Sequence, residues 1–236
     1  MKTFSCEYHH DELRLKGFVA VPENKVSAPG VLIAPSWAGR DEFVKEKAKA
    51  LAELGYVGFA LDLYGNAKVG SGPEENARLM TPLVENRALL RQRMNIGLQT
   101  LKGLAEVDST RTAAIGFCFG GLCVLDLARS GADVRGVVSF HGLLGLAPQL
   151  PTEIQTKVLV LHGHDDPMVP PEQVLAFEQE MTDARADWQI HVYGGVKHAF
   201  TNPLADDEQR GTVYNSAADH RSWQAMKSFL REIFAE

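Results

Sequence analysis

The chain has 236 residues, and its 24 lysine and arginine residues against 30 aspartate and glutamate residues give a formal net charge of −6 at pH 7. That balance, without any basic run, excludes a strongly electrostatic partner such as nucleic acid or an anionic membrane surface. The longest apolar runs have the length of strands, so we expect no membrane-spanning helix. The length suits one large domain over residues 1–236.

The cysteines and the first residues of the chain indicate its compartment. Three cysteines at irregular positions do not form a disulfide framework. Residues 1–6 lead into charged residues without the long apolar core of a signal peptide. We therefore expect a reducing, cytoplasmic location, which would also keep the cysteines as thiols.

Apolar runs alternate with helical patterns along the chain, which predicts an α/β fold with a mostly parallel, doubly wound sheet and helices on both faces. The predicted strands lie at 3–9 (an edge strand), 13–21, 31–35, 56–63, 112–116, 136–140, 158–162 and 188–193. The predicted helices lie at 42–54, 83–104, 121–128, 171–182 and 214–234. Pro82 suits the first turn of the helix at 83–104, and residues 65–73 read as a surface loop because they contain three glycines and a proline.

Residues 116–120 combine two outer glycines with a central cysteine, Cys118. They follow a short apolar run and precede a helical pattern. Strand, Gly-x-nucleophile-x-Gly and helix together form the nucleophile elbow, a strained turn that lifts one side chain above a parallel sheet. The flanking glycines are needed because the backbone passes close to its neighbours there. The pattern predicts that Cys118 is a raised nucleophile.

An inert, buried thiol is the alternative for Cys118, because cysteine often fills apolar space at the end of a strand. Core filling is the expected role of Cys123, which lies five residues further along the same helix among apolar residues. A disulfide between the two, as in a redox sensor, is disfavoured because their side chains project in different directions. The strand–turn–helix context favours the functional interpretation of Cys118.

Two strands downstream of Cys118 are followed by groups that can activate a thiol. In such a sheet, the active site gathers at the carboxyl ends of the strands. One strand leads into a loop with Asp165 and Asp166, and the next leads into a glycine-rich turn with His198. His198 would accept the thiol proton, and an aspartate would fix its tautomer. We prefer Asp166 because the proline after it favours a turn that aims it back over the sheet, and Asp165 is the alternative.

The other histidines fit this role less well. His141 follows a strand and could line the pocket, but a supporting or structural role fits it better. His162 and His164 bracket a glycine and suggest a metal, yet no third clustered ligand accompanies them. The remaining histidines precede the sheet core, lie in mid-strand or lie on the outer face of the last helix: His9, His10, His191 and His220.

An oxyanion hole needs two backbone N–H groups that point at the developing negative charge. We expect the first from Phe119, which follows the nucleophile at the start of a helix, where the helix dipole also favours a thiolate. We expect the second from Trp37, in the loop after the strand at 31–35. Packing of the Trp37 side chain in the pocket is compatible with that role.

These motifs together resemble the dienelactone hydrolase family of the α/β-hydrolase superfamily. Residues 116–121 are similar to that family's Gly-x-Cys-x-Gly-Gly, and residues 163–167 and 193–200 are similar to its acid and histidine loops. Residues 15–22 and 62–65 also look like family segments, so the resemblance covers nearly the whole chain. It implies an eight-stranded sheet, cysteine-dependent hydrolysis of a lactone or ester, and no cofactor.

Two positions depart from family members that open dienelactone. Those members carry His-Glu after the third strand, and the glutamate helps to activate the thiol, whereas this chain has Pro35 and Ser36. They also carry an arginine shortly after the histidine, whereas residues 200–203 contain no cation. The arginines that could replace it, and that also fit a solvated helix face, are Arg78, Arg87, Arg91 and Arg93.

We interpret the chain as a hydrolase of a lactone or carboxylic ester that uses a Cys118–His198–Asp166 triad and a thioester acyl-enzyme. Its pocket is expected to include Ser36, Trp37, Tyr64, Arg78 and Phe200. No metal or other cofactor is expected, and the chain would act on a small molecule as a monomer or homodimer. The alternatives are a thioesterase or general carboxylesterase, which differ in the preferred leaving group, and an inactive binding protein that kept the fold.

The absence of the glutamate leads to a hypothesis about thiol activation. With Ser36 in its place, the thiol of Cys118 should depend on His198 alone. The alkylation rate of Cys118 should then follow one ionisation that disappears in His198→Ala.

Overall fold

Strands and helices alternate along the parts of the chain that the structure, a computed structural model, describes: residues 1–23, 27–146 and 152–235. The strands are β1 (Lys2–His10), β2 (Leu13–Val21), β3 (Ala28–Ala34), β4 (Val57–Ala60), β5 (Val107–Phe117), β6 (Gly136–Phe140), β7 (Lys157–Gly163), β8 (Trp188–Tyr193), β9 (Asp206–Asp207) and β10 (Thr212–Val213). The helices are α1 (Glu42–Glu53), α2 (Pro73–Glu85), α3 (Arg87–Lys102), α4 (Phe119–Arg129), α5 (Pro171–Asp183) and α6 (Ser216–Ala235). Within the described ranges, none of the helices has both the length and the apolar character required to cross a lipid bilayer.

The first eight strands form one sheet in the order β1-β2-β4-β3-β5-β6-β7-β8. The pairs β3–β4, β6–β7 and β7–β8 are parallel, while β1–β2 and β2–β4 are antiparallel. Strands β3 and β6 are buried along their whole length, which explains their mostly apolar sequences. The predicted fold class, a mostly parallel α/β sheet of about eight strands with helices, is therefore confirmed.

The chain divides into two compact units, Met1–Ile115 and Gly116–Glu236. In the first unit, α1 lies so close to β4 that a Cβ on Gly58 would come within 2.5 Å of the backbone oxygen of Ala48. Backbone cannot move aside as a side chain can, so this position requires glycine. The single domain expected over residues 1–236 stays a prediction.

Strand β4 is shorter than the predicted 56–63 because the chain turns around the buried side chain of Asp62. The Asp62 carboxylate accepts hydrogen bonds from the backbone N–H groups of Lys16, Tyr64, Gly65 and Ala67. Those bonds satisfy donors that a strand would have paired with its neighbours. Strand β5 is longer than the predicted 112–116 because its first half carries exposed polar residues that an apolar pattern does not detect.

The helix predicted at 83–104 is two helices in the structure, so its predicted start is wrong. Pro82 lies inside α2, and α3 begins after Asn86, whose side chain accepts a hydrogen bond from the Leu89 N–H at 3.0 Å. An asparagine cap of this kind starts a new helix. The predicted loop at 65–73 ends where α2 begins, and the sequence pattern misses α2 because this helix buries few side chains.

A buried network of ion pairs joins α4 to α5 in the second unit. Arg129 Nη2 and Nε lie 2.6 and 2.8 Å from the two carboxylate oxygens of Glu180, and Nη1 lies 3.3 Å from Asp126 Oδ1. Nη1 also donates to the Gly145 carbonyl, in the loop after β6, at 3.2 Å. These paired contacts offset the free-energy cost of removing the charges from water. A buried charge without a partner would destabilise the fold instead.

Candidate active site

The predicted elbow is present at the junction of β5 and α4. Strand β5 ends at Phe117, α4 begins at Phe119, and Cys118 lies between them with φ 56° and ψ −118°. These angles are strained for any residue that has a side chain, and such strain is concentrated at functional sites. Cys118 remains partly exposed, whereas Phe117 and Phe119 are buried. The turn therefore presents the thiol at the carboxyl end of the strand.

Close backbone contacts explain the glycines of the elbow. A Cβ on Gly116 would lie 1.9 Å from the Gly120 carbonyl oxygen, and one on Gly121 would lie 2.5 Å from the backbone of the loop after β6. Neither contact can be relieved by rotating a side chain, so both positions require glycine. The Cys118 N–H donates to the Phe140 carbonyl at 3.0 Å, which ties the elbow to the end of β6.

Asp166 lies in the loop after β7, and its carboxylate is almost fully buried. Oδ1 accepts a hydrogen bond from the Met168 N–H at 2.9 Å, and Oδ2 lies 2.7 Å from His198 Nδ1. An ionised carboxylate only accepts hydrogen bonds, so Nδ1 carries a proton. The neighbouring Asp165 is exposed, and Asp166 is thus the aspartate that the fold brings to His198.

His198 lies in the loop after β8, and hydrogen bonds hold its backbone on both sides. Its N–H donates to the Gly211 carbonyl at 2.9 Å, and its carbonyl accepts from the Val213 N–H at 3.0 Å. The acid loop packs directly on this loop, since a Cβ on Gly163 would lie 2.5 Å from the Val196 carbonyl oxygen. This close packing of the two loops brings the carboxylate to the imidazole.

The electrostatics of Cys118 and His198 favour an ion pair. Burial opposes ionisation of the thiol, but the charge and hydrogen bond of His198, together with the Phe119 N–H, lower the pKa of Cys118 below its ordinary value. Burial likewise opposes the imidazolium, yet Cys118 and Asp166 together raise the pKa of His198. Because Nδ1 faces Asp166, the interaction of His198 with the Cys118 thiol involves the other ring nitrogen, Nε2. This nitrogen is therefore placed to exchange a proton with the thiol.

Three more aromatic rings pack in a row beside the His198 imidazole. His141 meets it edge to face with ring centroids 5.1 Å apart, Phe200 meets His141 at 5.1 Å, and Tyr193 meets Phe200 at 5.6 Å. His141 Nε2 lies 2.8 Å from Thr201 Oγ1. Burial raises the pKa of Tyr193 to about 12, so its hydroxyl stays neutral near pH 7. Sequence reasoning gives His141 a supporting role and misses Tyr193 and Thr201, although each adjoins the end of a strand or the histidine turn.

The predicted pocket residues are divided between the units. Ser36, Trp37, Tyr64 and Arg78 lie in the first, where the Tyr64 hydroxyl donates to the Trp37 carbonyl at 2.9 Å. Ser36 and Trp37 are partly exposed in the loop after β3, and Arg78 is exposed on α2. Phe200 lies in the second unit and is fully buried. The binding roles of these residues, and of the Phe119 and Trp37 N–H groups as an oxyanion hole, stay predictions.

His162 and His164, the two histidines that suggest a metal in the sequence, lie in different environments. His162 is buried at the end of β7, where burial lowers its pKa, while His164 is exposed in the next loop. In the parts of the chain that the structure describes, no group of three His, Cys, Asp or Glu side chains is placed to hold a metal ion.

We expect the alkylation of Cys118 by iodoacetamide to be fast already at pH 7. The rate should rise as the pH passes upward through the lowered pKa of the thiol and then level off. In His198→Ala, burial and the charge of Asp166 would oppose ionisation of the thiol, and only the Phe119 N–H would favour it. The profile should therefore move to higher pH, and the rate at pH 7 should fall by about tenfold or more. Mass spectrometry of the labelled peptide over a pH series measures both profiles.

The matched control is His191→Ala, because His191 is exposed on β8. That variant should reproduce the profile of the unmodified chain. A His198→Ala profile that coincides with it would rule out activation of the thiol by His198.

An eight-stranded, mostly parallel sheet with a strained turn at Cys118 after β5, and with Asp166 and His198 in loops after β7 and β8, is the arrangement of an α/β hydrolase. The model of the dienelactone hydrolase family matches residues 15–234, and the chain belongs to that family. The resemblance expected from the sequence is thereby confirmed. Membership makes the chain a hydrolase of the carboxylic ester and lactone class.

Solved structures and curated proteins similar to this chain include the following three. One solved structure is described as a dienelactone hydrolase-like promiscuous phosphotriesterase, P91, from metagenomic libraries; it is 36% identical, with a TM-score of 0.93 over 99% of this chain and 98% of that one. An uncharacterised protein of Caenorhabditis elegans is 39% identical over 150 residues, which are 62% of this chain and 95% of that protein. A protein of Aquifex aeolicus, provisionally named carboxymethylenebutenolidase, is 25% identical over 230 residues, 95% of this chain and 96% of its own.

Proposed function

We propose that this chain hydrolyses a small carboxylic ester or lactone through Cys118, His198 and Asp166. The observation that carries the proposal is the buried contact of 2.7 Å between Asp166 Oδ2 and His198 Nδ1, beside a thiol whose pKa is lowered. An orienting acid, a base and a nucleophile in this relation are the parts of a nucleophilic triad. A reducing, cytoplasmic location, which keeps the thiol free, is part of the same proposal.

The proposed reaction has two halves. The Cys118 thiolate attacks the carbonyl carbon, the C–O bond of the ester breaks, and His198 gives its Nε2 proton to the departing oxygen. Water then attacks the resulting thioester, with His198 taking a proton from it, and the acid product leaves as the thiolate is restored. Asp166 holds the imidazole in the tautomer that both halves need.

The negative charge on the carbonyl oxygen needs donors during both halves. The Phe119 N–H is supported as one of them, because it already helps to stabilise a negative charge on Cys118. We propose the Trp37 N–H as the second. Ser36 occupies the place of the family's activating glutamate, and in this proposal activation therefore comes from His198 without a second carboxylate.

A second activity is proposed on the likeness to P91, which covers 99% of this chain at 36% identity. The same thiolate would attack the phosphorus of a phosphotriester and expel an alcohol or phenol, which takes the Nε2 proton of His198. Water would then attack the phosphorus and break the S–P bond, with His198 taking a proton from the water, so that a phosphodiester leaves and the thiolate is restored. The alternatives of a thioesterase, a general carboxylesterase and an inactive binding protein are outcomes of the same test.

The experiment follows hydrolysis of short p-nitrophenyl esters while iodoacetamide labels an increasing fraction of the protein. A lactone, a thioester and a p-nitrophenyl phosphotriester are assayed in parallel, so that the preferred leaving group identifies the subclass. Ester turnover should fall in direct proportion to the fraction of Cys118 that mass mapping finds alkylated.

Cys6→Ser is the matched control, because Cys6 is the other partly exposed cysteine. This variant should keep full turnover and the same loss on labelling. Turnover that survives complete alkylation of Cys118 would overturn the triad. A chain that labels but turns over none of the substrates would favour the binding protein.

A further inference from the structure

We propose that His141 is a positioning residue for His198, holding the imidazole at the angle from which Nε2 reaches the thiol. The inference rests on the proposed role of His198 as the base of the reaction. The observation behind it is that one side chain both packs on the His198 ring and bonds to the turn that carries it.

The contact with Asp166 alone does not fix the His198 ring. A single hydrogen bond at Nδ1, 2.7 Å long, leaves the imidazole able to tilt about the line that joins it to the carboxylate. The edge-to-face contact with His141, at 5.1 Å between centroids and 67° between planes, closes off that tilt. Small displacements matter here, because a misplacement of about 1 Å can slow a reaction by about a hundredfold.

His141 is itself held firmly enough to act as a support. Its N–H donates to the Leu161 carbonyl of β7 at 2.8 Å, and its side chain is almost fully buried. Its φ of 38° is uncommon for a residue with a side chain. Strain of this kind persists only where the surroundings enforce it, and it is concentrated at functional sites.

The bond from His141 to Thr201 links two loops of the site. His141 follows β6, while Thr201 lies three residues after His198 in the loop that follows β8. The 2.8 Å contact between Nε2 and Oγ1 therefore restrains the histidine turn in addition to the backbone bonds of His198 with Gly211 and Val213. An imidazole suits the place because it supplies both a ring and a hydrogen-bonding nitrogen.

The test removes the bond from each side and keeps the ring. His141→Phe and Thr201→Val should each lower kcat for p-nitrophenyl acetate by about tenfold with KM within about twofold, since the positioning acts on the reaction and not on binding. Each should also slow iodoacetamide labelling of Cys118 at pH 7 and move its pH profile upward. The double variant should be no worse than either single one, and Thr201→Ser, which keeps the hydroxyl, should restore the rate.

His191→Phe, on the exposed face of β8, controls for the loss of a histidine as such. If both single variants match the unmodified chain in kcat and in labelling, the inference is wrong. It is also wrong if Thr201→Ser is as impaired as Thr201→Val and the labelling profile stays in place, because the losses would then follow stability alone. Should His141→Phe fail to fold, the two Thr201 variants decide.

Failure of the proposed function gives a different result. Turnover that persists in Cys118→Ala would rule out the proposed triad. The labelling comparison among the His141 and Thr201 variants would stay valid, because these variants keep Cys118 and its alkylation needs no substrate. The other result is normal labelling in all His141 and Thr201 variants while turnover still depends fully on Cys118. That result would rule out the positioning role of His141 and leave the proposed function intact.

Discussion

Replacement of Cys118 by alanine is expected to reduce ester turnover by about 10⁴-fold or more, to the residual rate that binding and hydrogen-bond donors provide without a nucleophile. The fold should survive, because alanine has the same Cβ as cysteine and meets the same backbone angles at this strained position. Steady-state kinetics with p-nitrophenyl butyrate, together with circular dichroism of the variant, measures the two effects separately.

Cys118→Ser is the informative companion to the alanine variant. A serine hydroxyl has no stable anion near neutral pH, so the resting ion pair with His198 would be lost, and only proton removal during attack would remain. We expect a rate between those of the alanine variant and the unmodified chain. Equal activity of Cys118→Ala and the unmodified chain would show that the elbow of this protein is not used in catalysis.

Asp166→Asn is expected to lower kcat by about 10²- to 10⁴-fold, with thermal stability changed far less. The reason lies in the second oxygen of the carboxylate. Oδ1 accepts from the Met168 N–H, so the oxygen of an asparagine must stay there, and the NH₂ group must face His198 Nδ1. That arrangement forces the proton onto Nε2, and the neutral imidazole then donates to the thiol instead of accepting its proton.

Asp165→Asn is the matched control, because it makes the same chemical change one residue away on an exposed side chain. It should keep kcat within about twofold. The reverse result, with Asp165→Asn impaired and Asp166→Asn active, would transfer the role of the acid to Asp165. Both variants can be compared by their pH–rate profiles as well as by kcat.

The sequence predicts the elements whose cause is local. The elbow can be predicted because glycine at 116 follows from a backbone clash with the Gly120 carbonyl, only four residues further along the chain. Strands β2, β6 and β8 agree with their predicted bounds, since their patterns are uninterrupted. The order of Cys118, Asp166 and His198, which we propose as nucleophile, acid and base, follows from which loops come after strands.

Features that depend on distant contacts could not be predicted in the same way. The early end of β4 depends on backbone donors that gather around Asp62, including one from β2. The preference for Asp166 over Asp165 rested on a turn, but its burial against His198 is a property of two packed loops. The rings from His198 to Tyr193 lie close together in space, and the hydrophobic periodicity of the sequence gives no sign of that.

The ion pairs of Arg129 have a consequence for the way in which the second unit opens. Helix α4 begins next to Cys118, α5 follows the loop of Asp166, and Arg129 joins the two helices near their other ends. Unwinding the last turn of either helix would separate Arg129 from Glu180, and the buried charge that remains on the other helix would lose its closest partner. The amides of both helices should therefore exchange with deuterium as one cooperative unit, slowly and at a common rate. The turn at Cys118 and the loop of Asp166 would then be attached to two helices that open and close together.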